Sequence, residues 1–83
     1  MIVIKYPLLT EKAAGLIERE NKIVFVVEKN AGKADIKKEV ERLYAVRVQD
    51  VNTMVSMKGI KKAYVKLAPG FNATDLATKL KII

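Results

Sequence analysis

Apolar positions along this chain recur with two different periods, and the switches between them mark out seven elements. Residues 2–5, "IVIK", read as a short strand, and Tyr6 is held extended because Pro7 follows it. Thr10 has the form of a helix N-cap, with Glu11 in the first turn where a negative charge complements the helix dipole. The spacing of Ala13, Leu16 and Ile17 predicts a short helix reaching about Arg19 with those three side chains inward, and Asn21 is a stop. "KIVFVVE", residues 22–28, sets five consecutive apolar residues between charges, the pattern of a central strand covered on both faces.

Gly32 then caps a second helix, "KADIKKEVERLY", in which Ile36, Val40, Leu43 and Tyr44 form an amphipathic stripe. Its outer face mixes Lys33, Lys37, Lys38 and Arg42 with Glu39 and Glu41, as a solvated face does. Residues 46–57, "VRVQDVNTMVSM", alternate in strand fashion, but the parity changes between Val48 and Val51, which predicts a bulge near Gln49 and Asp50. A Lys58-Gly59 turn joins this strand to "IKKAYVKLA" as a hairpin. Pro69-Gly70 ends that strand. A last helix follows, capped by Asn72, with Asp75 in its first turn and Leu76, Leu80 and Ile83 on one side. Strand, helix, strand, helix, strand, strand, helix is an α+β order: a small, mostly antiparallel sheet with helices packed on it.

Composition narrows the chemistry. Eighty-three residues suit one domain with a small core. The chain has no cysteine and no histidine. Disulfides are excluded, and zinc or transition-metal sites and the usual acid–base and nucleophilic arrangements are disfavoured; no cofactor is expected. A hydrolase of phosphate esters or acyl phosphates would need a phosphate-cradling loop, and Arg19, Arg42 and Arg47 sit in none. No apolar run approaches the roughly 18 residues of a membrane span, and "MIVIKYP" lacks the basic start of a secretory signal. The expectation is a cytoplasmic protein with no membrane insertion of its own.

Charge changes the picture most. The net charge is +7, and residues 51–74 contain no acid while holding Lys58, Lys61, Lys62 and Lys66. Segregation of one sign is the footprint of a polyanion partner, since a surface tuned for solubility mixes signs. Within "KKAYVKL", Ala63, Val65 and Leu67 point to one face of a strand, and Lys62, Tyr64 and Lys66 to the other, roughly 6–7 Å apart. Two ammoniums at that spacing can follow a phosphate backbone, and the ring between them offers a platform for a base or ribose. The competing reading has Tyr64 covering the edge of a helix while the lysine stems lie on apolar surface. There is no C-x-x-C finger, helix-turn-helix or interleaved-aromatic octapeptide, and aromatic content is only 6%, so shape and phosphate recognition of folded RNA is the expected mode.

Three segments together, "YPLLTEKA", "KADIKKEVERLYAVRVQDVNT" and "KKAYVKL", resemble the family of universal large-subunit ribosomal protein twenty-three in order and spacing. The resemblance implies a four-stranded antiparallel sheet whose central helix makes a split βαβ crossover. It also implies a primary binder of the third domain of large-subunit rRNA, beside the polypeptide exit tunnel and among neighbouring ribosomal proteins. At the exit rim such proteins offer a docking platform for trigger factor in bacteria, for the signal recognition particle and for the protein-conducting channel. By the same resemblance Lys61, Lys62, Tyr64, Asn52 and Thr53 are RNA-contact candidates and Glu11 a docking candidate. The basic patch adds Lys58 and Lys66 to the RNA candidates, Lys5, Tyr6, Thr10 and Lys12 of the N-terminal segment join them, and charge alone adds Glu18 to the docking side. The long basic loop of bacterial members is absent, since only residues 57–60 separate the last two strands. The short form resembles archaeal members and sets trigger factor aside. The alternative is a free-standing RNA- or DNA-binding module with the same basic patch.

Overall fold

The computed structural model describes residues 3–8 and 10–80. They form β1 (Ile4–Pro7), α1 (Glu11–Glu20), β2 (Lys22–Val27), α2 (Lys33–Tyr44), β3 (Val48–Val55), β4 (Lys61–Leu67) and α3 (Ala73–Lys79), in the order that the periodicity predicts. The predicted strand start at Ile2 and the end of the last stripe at Ile83 lie outside the described residues. The four strands form one sheet in the order β1-β2-β4-β3, with every neighbouring pair antiparallel. Strands β2 and β3 therefore run parallel with β4 inserted between them, and α2 is the crossover of a split βαβ unit. The fold is α+β.

One side of the sheet carries the main core. Ile23, Phe25 and Val27 of β2 and Ala63, Val65 and Leu67 of β4 pack with Ile36 and Val40 of α2, and with Leu76 and Ala77 of α3. Phe25 stacks on Tyr44 with ring centroids 5.9 Å apart and planes 9° apart. Full burial of Phe25, Ile23 and Ile36 contributes about 1.5–3 kcal/mol each. Val24 and Val26 alternate to the opposite side of β2 and are also buried, as the unbroken apolar run of that strand predicts.

Polar side chains fix the element ends. The Thr10 hydroxyl accepts the Ala13 N–H at 3.1 Å, the predicted cap. Asn21 adopts the left-handed conformation, φ 56°, that stops α1, and its side chain does more than stop a helix. Its amide NH2 donates to the carbonyls of Phe71 (2.9 Å) and Leu67 (3.3 Å), and its Oδ1 accepts the Ala73 N–H at 2.6 Å. The end of α1 is thereby joined to the end of β4 and the start of α3. Gly32 is the N-cap of α2 and donates its N–H to the Asp35 carboxylate at 3.1 Å, while Asn72 accepts the Thr74 N–H at 2.8 Å.

The structure departs from expectation in five places. Leu43 is 46% exposed, because the i, i+4, i+8 row of Ile36, Val40 and Tyr44 alone meets the sheet and the Tyr44 ring takes the last core position. Leu16 is only half-buried. Glu41 is no solvated outer residue, since its carboxylate accepts the Val48 N–H at 2.9 Å and ties α2 to β3. The hairpin turn is longer than a Lys58-Gly59 pair. Ser56 pairs with Ile60, the Ser56 carbonyl accepts the Gly59 N–H at 2.9 Å, and only Gly59 has positive φ, at 79°. That is a three-residue loop closed by a left-handed glycine, and it spares Lys58 a conformation it adopts poorly. The predicted bulge is present between Val48 and Asp50; a second, unpredicted one lies between Ile4 and Tyr6. Among the described residues no helix is long and apolar enough to cross a membrane.

Candidate nucleic-acid interface

The hairpin register decides what stands on the sheet face opposite the main core. Lys62 lies between Val26 and Met54, Tyr64 between Val24 and Asn52, and Lys66 between Lys22 and Asp50. Tyr6 of β1 pairs with Val26 and extends the row to the sheet edge, half exposed at 51%. Lys62, Tyr64 and Lys66 are all half-buried, their stems and ring lying over the valines while their polar ends reach solvent. The Tyr64 hydroxyl donates only a weak bond, to the Met54 sulfur at 3.5 Å. Lys22 pairs with Glu20 at 3.3 Å, and Asp50 accepts the Val51 N–H at 2.9 Å. Lys12, Lys62 and Lys66 make no ion pair among the described residues.

The N-terminal half of α1 borders this face. Between them runs a groove of about 220 Å³, with Leu8, Lys12, Ala13 and Leu16 on one side and Val24, Met54, Lys62 and Tyr64 on the other. Ala13 is nearly fully buried there, and no acidic side chain lines the groove.

The fold thus gathers Lys62, Tyr64, Lys66, Asn52, Tyr6 and Lys12 around one surface. It places the other candidates differently. Lys61 points to the helix side, where its ammonium donates to the carbonyls of Ala31 (2.7 Å) and Lys29 (3.3 Å). Thr53 shares that side, paired with Ala63, whereas Thr10 lines the groove beside Lys12 with its hydroxyl accepting the capping bond. Lys5 sits 4.0 Å from the Glu28 carboxylate at the outer strand, and Lys58 stands exposed at the hairpin tip. Glu11 and Glu18 are both exposed and, seven residues apart, share one stripe of α1. Sequence reasoning missed Met54, Val24, Leu16 and Lys22 as parts of this surface. Parity places Met54 with Asn52, but its position beside Lys62 depends on the turn length.

Two other charged features lie on α2. The Arg42 guanidinium, 2.7 Å from Glu39, holds that carboxyl below its ordinary value, and burial raises the Tyr44 hydroxyl. Among the described residues no three His, Cys, Asp or Glu side chains come together as a metal site.

Residues 2–59, from β1 to the hairpin tip, match the family described as Ribosomal protein L23. The chain is also 51% identical over 81 residues to the large ribosomal subunit protein uL23 of the archaeon Pyrobaculum aerophilum, an alignment covering 98% of this chain and 100% of that one. With a family match across most of its length and half its residues shared with an archaeal relative end to end, this chain belongs to the family of ribosomal protein L23.

Proposed function

We propose that this protein lays the open face of its sheet on large-subunit rRNA, in the third domain of that RNA beside the polypeptide exit tunnel. Family membership makes it a structural constituent of the large subunit of the cytoplasmic ribosome and not an enzyme. The observation that carries the RNA reading is the Lys62–Tyr64–Lys66 row: two ammoniums with no ion-pair partner among the described residues, bracketing a half-exposed ring on a face with few acids. Phosphates would meet Lys62, Lys66 and Lys12, with Tyr64, Tyr6 and Asn52 offering stacking and hydrogen bonding, and Lys58 extending the contact from the hairpin tip. Changing Lys62 and Lys66 to Ala tests this. Each lost phosphate contact lowers the log–log slope of affinity against salt by about 0.7–0.9. An unchanged slope removes both residues from the interface.

The faces left uncovered are then available to neighbouring ribosomal proteins and, at the exit rim, to the signal recognition particle and the protein-conducting channel. The exposed Glu11 and Glu18 stripe supports α1 as the docking element. Ribosomes carrying Glu11→Lys and Glu18→Lys together are expected to bind signal recognition particle several-fold more weakly, with rRNA association intact. Undiminished binding would assign docking to another surface.

A further inference from the structure

The groove between α1 and the open sheet face is shaped for something other than the outside of a double helix. A continuous A-form helix offers phosphates and 2′-hydroxyls to a protein and keeps its base faces stacked inside. Leu8, Leu16, Met54 and the ring of Tyr64 have nothing to recognise there. A base that has left its stack is different, since it exposes two apolar faces that need covering. The groove has a buried floor, with Val24 at 2% and Ala13 at 3% exposure, and one aromatic wall. It also has two ammonium-bearing residues, Lys12 from α1 and Lys62 from β4, and no carboxylate. Apolar lining alone would suit a side chain from a neighbouring protein. Two cations beside it, with no ion-pair partner among the described residues, select a ligand that joins a flat apolar ring to an anion.

We propose that this groove takes a single unstacked nucleotide of the bound RNA, its base against Tyr64, Met54 and Leu16 and its phosphate at Lys12 and Lys62. The proposal rests on the RNA-binding reading above and deepens it from backbone contact to recognition of an extrahelical base. The weak tether of the Tyr64 hydroxyl to the Met54 sulfur, 3.5 Å, holds the ring at the wall of the groove.

The test uses the full chain and two RNA hairpins with the same stem, one carrying a single extrahelical adenosine and the other none. Binding is measured across salt for the unaltered protein and for Tyr64→Ala and Leu16→Phe, the second narrowing the groove from the helix side. Thermal melts establish that both variants fold. The unaltered protein is expected to prefer the bulged hairpin by about 5- to 150-fold, the range a stacked base supplies. Both variants should lose that preference, and Leu16→Phe should keep its salt-dependent binding to the plain stem. Equal, salt-sensitive affinity of the unaltered protein for both hairpins would overturn the groove proposal and leave the RNA-binding reading standing. No salt-sensitive binding to either hairpin would overturn both.

Discussion

Replacing Lys61 and Lys62 by methionine, one at a time, separates two roles that adjacent residues of one strand hold. Methionine keeps most of the apolar stem and deletes the ammonium. At Lys61 the lost group donates to the Ala31 carbonyl at 2.7 Å and to the Lys29 carbonyl at 3.3 Å, holding the β2–α2 connection against the end of β4. Hydrogen bonds from a charged donor contribute about 1.5–3 kcal/mol. The longer bond is exposed, and the side chain is only half-buried, so solvent screening lowers the expected cost to about 1–1.5 kcal/mol. For a domain of this size that is a fall in Tm of roughly 4–12 °C. At Lys62 the ammonium has no ion-pair partner among the described residues, and Lys62→Met should leave Tm within about 2 °C of the parent. The RNA readout should run the other way. Lys62→Met lowers the salt slope by about 0.7–0.9, and Lys61→Met leaves it unchanged. Differential scanning fluorimetry and filter binding across a potassium chloride series measure both quantities on the same samples. If the two variants lower the slope equally, or if Lys61→Met melts with the parent, the assignment of these lysines to opposite faces is wrong.

Asn21→Ala removes three side-chain hydrogen bonds at the meeting of α1, β4 and α3 and also places alanine at φ 56°, so a loss of about 2–4 kcal/mol is expected by urea denaturation. A loss below about 1 kcal/mol would mean that water replaces those bonds. Gly59→Ala is expected to cost about 1 kcal/mol, because φ is 79° and the new methyl meets the Lys29 ammonium at 3.2 Å. A variant as stable as the parent would show that the turn has an alternative conformation.

Most of the fold was legible because each element carries its own local signal. The five-residue apolar run of β2 predicted a strand buried on both sides, and it sits inside the sheet with Ile23 to Val27 all buried. Thr10, Gly32 and Asn72 were readable as caps because capping is decided within three residues. The left-handed Ala45 that ends α2 was not, since alanine has no intrinsic preference for that conformation. Nor was the reach of Asn21 to residues fifty positions away, which needs the tertiary fold to exist.

The candidate site was half legible for a similar reason. Alternation alone separated Lys62, Tyr64 and Lys66 from Ala63, Val65 and Leu67. It also placed Lys61 off that face, but clustering in the sequence grouped Lys61 with Lys62 all the same. What stands beside each residue depends on the hairpin register, and a two-residue turn would have paired Lys62 with Val55 instead of Met54. The groove under α1 depends on how that helix lies across the sheet, which no local pattern encodes.

The central claim is that the open sheet face binds large-subunit rRNA specifically, and one titration tests it most directly. The purified protein is titrated with a fragment containing the third domain of large-subunit rRNA, across salt, against an unrelated folded RNA of equal length. The account predicts a marked preference for the cognate fragment, with a log–log slope near −2 to −3 from about three phosphate contacts at Lys12, Lys62 and Lys66. Equal affinity for the two RNAs, at any slope, would contradict it.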